Sequence, residues 1–214
     1  MILKKYYLAA PIIVAVILGV YALTPKVPDL SDEVTKQMLI HDGSPMLGNP
    51  SASITIVEWG DYQCTFCYKF HMTKREIIMK EYISTEKANF VFKDFPLNGP
   101  DSVLAAEASY CADDQGKYWE YHDILYNNWA GEQTGWVNRD SLHQFAQTVG
   151  LDVVQFNECL DMKKYEAKVL ANEEFAHQIG INATPSFFIF NEEQLVKIRG
   201  NQPLDVFFRV LDEI

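Results

Sequence analysis

From residue 53 onward, short apolar runs rich in β-branched and aromatic residues alternate with longer stretches of helical spacing. Ser53–Trp59 reads as a buried strand. Cys64 to about Ser84 reads as a helix, with Phe66, Phe70 and Ile77 at helical spacing. Asn89–Phe95 is a second strand, ended by Pro96. Between Asp101 and Gly180 no strand pattern stands out, and several helix starts do. Asp101 precedes Ser102–Asp113, Asp140 or Ser141 precedes Leu142–Val149, and Asp152 precedes Val153–Leu160. Each offers a side-chain oxygen to the free amides of a first helical turn. Lys163–Ile179 is a long helix stopped at Gly180. Strand signals return at Ser186–Phe190 and Leu195–Arg199, across a short Asn191-Glu192-Glu193 turn, and Leu204, Phe207, Phe208 and Leu211 mark a last amphipathic helix.

The N-terminus has a different pattern. Lys4 and Lys5 precede an uncharged run from Tyr6 to Leu23. A cleaved signal peptide has an apolar region of about 7–15 residues and a spanning helix needs about 20. The run is closer to the second, although Val20 and Ala22 would suit cleavage after Ala22. Residues 1–23 are therefore an N-terminal membrane anchor or signal peptide, with the lysines left in the cytoplasm. Residues 24–50 hold Pro25, Pro28, Pro45, Pro50, Gly43 and Gly48 and read as a tether. Part of it is expected to pack on the body through Met38, Leu39, Ile40, Met46 and Leu47. On either reading of 1–23, the body at 51–214 lies on the extracytoplasmic side, where disulfides persist.

Composition adds limits. A chain of 214 residues with 48% hydrophobic and 13% aromatic content can bury a core. Its net charge of −11 opposes binding to phosphate backbones, so no nucleic acid is expected as a partner.

The chemistry sits at Cys64-Thr65-Phe66-Cys67, where the first strand runs into the first helix. Free amides and the dipole at a helix N-terminus stabilise a thiolate on Cys64. Cys67, one turn in and facing the sheet, is placed to be the resolving thiol. Two metal ligands are the rival reading, but no second Cys-x-x-Cys or zinc-finger His/Cys pair accompanies them. No metal and no other cofactor is therefore expected. The remaining cysteines, Cys111 and Cys159, each fall in a helix of the middle block, and an even count is compatible with two disulfides. Glu58 is either a buried acid or one facing water at a strand edge, and Pro185 could be a plain strand-initiating proline. His71 reads as a packing or surface residue, and Trp119, His122 and Trp129 as residues that hold the helical block together.

The order β-α-β, helical block, β-β-α, together with Cys64-Thr65-Phe66-Cys67 and Thr184-Pro185, resembles the thioredoxin fold. The insertion, the segment Cys111-Ala112…Gln115-Gly116-Lys117-Tyr118-Trp119…His122-Asp123 and the run Gly48-Asn49-Pro50 resemble the DsbA-like thiol:disulfide oxidoreductases, over about residues 43–214. That resemblance implies an α/β thioredoxin fold with a helical insertion at about 101–180. It implies a cis bond before Pro185, with Thr184 beside the dithiol where a substrate peptide docks. It also implies a proton relay at Glu58 beneath Cys67 and a second, structural disulfide between Cys111 and Cys159. The family's oxidants often carry a proline and a basic or aromatic residue between the cysteines, and Thr65 and Phe66 supply neither a proline nor a cation there. The function implied is introduction of disulfides into cysteine-containing exported proteins, with a membrane redox partner reoxidising the dithiol. The alternatives are a reductase or isomerase of the same fold, or a metal-binding or chaperone module without turnover.

Overall fold

The computed structural model describes residues 33–214. The anchor or signal reading of 1–23 and the first part of the tether lie outside those residues. Among the described residues no helix is long and apolar enough to cross a membrane.

Strand β2 (Ile54–Gly60) and strand β3 (Ala88–Asp94) pair in parallel at the centre of a five-stranded sheet. Central strands with both faces covered read as unbroken apolar runs, which is why both were visible in the sequence to within one residue. Strand β4 (Ser186–Phe190) lies antiparallel to β2, and β5 (Leu195–Arg199) is antiparallel to β4 at the edge. The opposite edge is β1 (Leu47–Gly48), antiparallel to β3. The sheet order is β1-β3-β2-β4-β5.

The later part of the expected tether belongs to the packed body. Helix α1 (Glu33–Ile40) brings Leu39 into full burial beside Val57, Trp59 and Val91. Ser44 then bonds across to β3: its amide donates to Phe92 O at 2.8 Å and its Oγ accepts from Phe92 N at 2.9 Å. The apolar residues of this stretch decide its place, and the prolines and glycines only shape the turns between them.

The first site helix, α2, runs over 65–83 with a varying pitch. α-Helical Thr65–Phe70 and Glu76–Ile78 alternate with π-helical turns His71–Arg75 and Met79–Ile83. Each π turn advances the buried face relative to a regular 3.6 repeat. Cys67, Phe70, Ile78 and Tyr82 therefore point inward, while Phe66 and Ile77, expected on the core face, are 56% and 40% exposed.

Five helices form the insertion: α3 (Pro100–Asp113), α4 (Tyr118–Asn127), α5 (Arg139–Thr148), α6 (Val153–Asp161) and α7 (Glu166–Gln178). Asp152 caps α6 as expected. α5 is capped by Asn138 in a capping box with Ser141, one turn ahead of the residues anticipated. α4 has no side-chain cap, so nothing in the sequence marked its start. α7 begins later than Lys163, because that residue sits in the left-handed region at φ 50°. A Cys111–Cys159 disulfide ties α3 to α6. Helix α8 (Leu204–Glu213) closes the chain, with Phe207 and Leu211 buried against Phe70 and Phe187.

Candidate active site

The turn between β2 and α2 is fixed from several sides before any sulfur is considered. Gly60 must lack a side chain, since a Cβ there would meet the Phe92 ring at 2.3 Å. The next residue, Asp61, is buried and accepts from Gln63 N (2.8 Å), Asn98 N (2.8 Å), Asn98 Nδ2 (2.9 Å) and Ser102 Oγ (2.7 Å). Burial raises its pKa and these four donors oppose that rise. Gln63 is fully buried: its Nε2 donates to Ser102 Oγ at 2.9 Å, and its carbonyl accepts from Trp129 Nε1 at 2.8 Å. The insertion thus grips the turn through α3 and through the loop after α4.

Cys64 is the N-cap of α2, with extended φ −65° and ψ 124° and no side-chain cap of its own. Its Sγ lies 3.5 Å from the Thr184 carbonyl. The Thr184–Pro185 bond is cis, as the resemblance implied, and sets Thr184 against the dithiol just ahead of β4. Cys64 is less open than a partly exposed thiol, at 6% exposure, and Cys67 is completely buried. Their acidities diverge. The hydrogen bond with Cys67, helped by the Thr184 hydroxyl and the amides of Cys67 and Phe66 and opposed by burial, brings Cys64 down to about 7. Burial first, then Cys64 and Glu58, push Cys67 well above its ordinary value.

Glu58 lies in β2 between Phe92 of β3 and Phe187 of β4 and is 2% exposed, so it does not face water. Burial raises its carboxyl to about 8, with Arg75 pulling it down and Cys64 pushing it up. Arg75 is itself buried, its guanidinium over the Trp119 and Phe90 rings and its Nη1 3.0 Å from Asp123 Oδ1. Nothing in the sequence marks this arginine; it reaches the interior because the π turn His71–Arg75 rotates it inward.

His71, His122 and Asp123 bring donor atoms within 4.8 Å of one another. Arg75 already supplies the positive charge there. Burial, then Arg75, lowers His71 to about 3, and burial keeps His122 neutral as well. His122 pairs through Nδ1 with Tyr62 OH at 3.0 Å. Trp119 donates to Pro45 O at 3.2 Å. With Trp129 on Gln63, these residues join the insertion to the sheet and the active-site turn; they do more than hold the helical block together. Asp61, Gln63 and Arg75 are the residues sequence reasoning missed. Asp61, a charged residue directly after an apolar strand, carried the only usable hint.

A thioredoxin family model matches residues 41–213, and the chain belongs to that family. Within it, the chain is a DsbA-type thiol:disulfide oxidoreductase. Disulfide bond formation protein D of Bacillus subtilis is 29% identical over 162 residues, which cover 74% of this chain and 72% of that protein. The probable disulfide bond formation protein D of Bacillus cereus is 27% identical, over 72% of this chain and 73% of its own. The oxidised crystal structure of BdbD from Bacillus subtilis superposes with a TM-score of 0.70 at 26% identity, covering 79% of this chain and 91% of that one. α-DsbA1 of Wolbachia pipientis gives 0.69 at 28% identity, covering 78% and 88%.

Proposed function

We propose that this protein introduces disulfides into cysteine-containing exported proteins, working from an extracytoplasmic position to which its N-terminal segment anchors or delivers it. The observation that carries the reading is the asymmetry of the two thiols: Cys64 at a helix N-terminus with its acidity raised, and Cys67 buried with its acidity lowered. A thiol that ionises easily is a good leaving group as well as a nucleophile.

In the oxidised protein Cys64 and Cys67 share a disulfide. A substrate thiolate attacks Cys64 Sγ, a substrate–Cys64 bond forms, and Cys67 leaves with the electron pair. Cys67 takes up a proton, and Glu58, protonated at neutral pH in its buried place, is the group that gives it. A second substrate thiolate then attacks the substrate sulfur of the mixed disulfide and releases Cys64 as a thiolate. The substrate has lost two electrons and the protein has gained them. A membrane redox partner takes them back and restores the disulfide. Thr184, whose carbonyl lies 3.5 Å from Cys64 Sγ, offers its backbone to an extended substrate segment in the manner of an added strand.

The test is trapping. Incubated with a reduced cysteine-containing protein and an oxidant, Cys67→Ser should accumulate a mixed disulfide through Cys64, while Cys64→Ser should accumulate none and transfer nothing. Full turnover by Cys67→Ser would refute the two-thiol mechanism.

A further inference from the structure

The N-terminus of α2 holds two acceptors. Cys64 is its N-cap and has no oxygen to offer the free amides. The amides of Phe66 and Cys67 favour negative charge on the Cys64 sulfur. The remaining one, Thr65 N, donates to Glu132 Oε1 at 2.8 Å, across from the insertion. Glu132 is exposed, yet its backbone is held on both sides. Trp129 donates to Gln63 O and stacks on Tyr68 of α2 at 4.5 Å and 10°. Gln133 N donates to Gln63 Oε1 at 3.0 Å, and Trp136 Nε1 ties back to Gly131 O at 2.9 Å. Gly131 and Gln133 take left-handed backbone, at φ 111° and 54°, to put Glu132 between these anchors. The carboxylate is delivered to the helix start by construction.

We propose that Glu132 is a positioning residue that sets the redox poise of the dithiol, by holding a second negative charge at the helix N-terminus that the Cys64 thiolate needs. The inference rests on the reading that Cys64 is the reacting thiol. The reduced protein carries a thiolate on Cys64 and the oxidised protein carries none. Glu132 accepts from Thr65 N with both thiols free, and it repels an anion on Cys64 only in the reduced protein. Its charge therefore favours the disulfide and makes the protein a milder oxidant. The other groups around Cys64 do not cancel it. Cys67 and Glu58 lie beneath and are held protonated by burial, and Tyr126 of α4 stays a neutral phenol. Arg75 lies behind Glu58 and pairs with Asp123, and Lys69 sits over the outward Phe66 ring.

The experiment measures two quantities in wild type, Glu132→Gln and Glu132→Lys. One is the pH dependence of Cys64 alkylation in the reduced protein; the other is the equilibrium of the dithiol with glutathione. Gln keeps an acceptor for Thr65 N and removes only the charge. Glu132→Gln should lower the Cys64 pKa by about 0.5 to 1. It should shift the glutathione equilibrium about threefold to tenfold toward reduced protein, or about 15–30 mV toward a stronger oxidant. Glu132→Lys should move both further in the same direction, and the differences from wild type should shrink in high salt. Unchanged pKa and equilibrium in both variants, or shifts that salt does not reduce, would overturn the inference. A Cys64→Ser protein that keeps an easily alkylated thiol would instead overturn the assignment of Cys64 on which it rests.

Discussion

A carboxyl in the middle of a buried strand costs stability whenever it ionises, and Glu58 occupies that position. Its unfolded value is 4.5 and its folded value about 8. Between those values the folded state holds a proton that the unfolded state has lost, so wild-type stability falls as pH rises from about 4.5 to about 8. Glu58→Gln removes that loss, which runs at roughly 1.4 kcal/mol for each step of one in pH across the window. Urea melts at several pH values should show the variant gaining on wild type across this window and level above it. The same variant should turn over more slowly, because an amide cannot pass a proton to or from Cys67. Equal pH profiles for the two proteins would remove both the buried titration and the relay. Cys64, Cys67 and Pro185 were legible in the sequence because the chemistry admits few residue types at those positions. Arg75 was not: an arginine in a helix looks like a solvated charge, and only the π turn places it inside. Phe66 erred the other way, an apolar residue at helical spacing that lies outside the core beside the site.

At the scale of elements, the active-site turn depends on bonds from outside its own strand and helix. Asp61 joins the β2–α2 turn to the β3–α3 loop through Asn98 and to the first turn of α3 through Ser102. Asp61→Ala leaves several buried donors unpaired at about 1–3 kcal/mol each, so a loss of roughly 3 kcal/mol or more in denaturant melts is expected. The pH midpoint of Cys64 alkylation should rise in the same variant, as the helix start that favours the thiolate loosens. The Cys111–Cys159 bridge acts elsewhere: it fastens α3 to α6, and neither cysteine caps a helix. Replacing both with Ala should lower the melting temperature, with up to about 4 kcal/mol at stake in the chain-entropy model, and leave most oxidase activity. Lost activity at unchanged stability would assign the pair a role in electron transfer. Strands and capped helices such as α6 were readable because burial and capping leave local signatures. α4 and the π turns within α2 were not, since they come from packing against the sheet and not from local propensity.

Across the whole molecule, a thioredoxin-type sheet supplies the helix start and the cis-proline turn, and the insertion supplies the groups that hold them. Trp119 reaches Pro45, Trp129 reaches Gln63 and His122 reaches Tyr62, so the two parts form one packed unit around the dithiol. The β-α-β and β-β-α halves and the block between them were legible as an order of elements. The joints between them were not, because a pairing of distant side chains leaves no trace in local periodicity. A dithiol built to give away its disulfide must be more stable reduced than that of a reductase. The most direct measurement is the reduction potential of the Cys64–Cys67 pair, from alkylation and mass spectrometry at equilibrium with glutathione. An oxidase account predicts a single two-electron couple above the range of about −200 to −230 mV typical of glutaredoxins. A value near the −270 mV or so of thioredoxin would mean that the protein opens disulfides, and would contradict it.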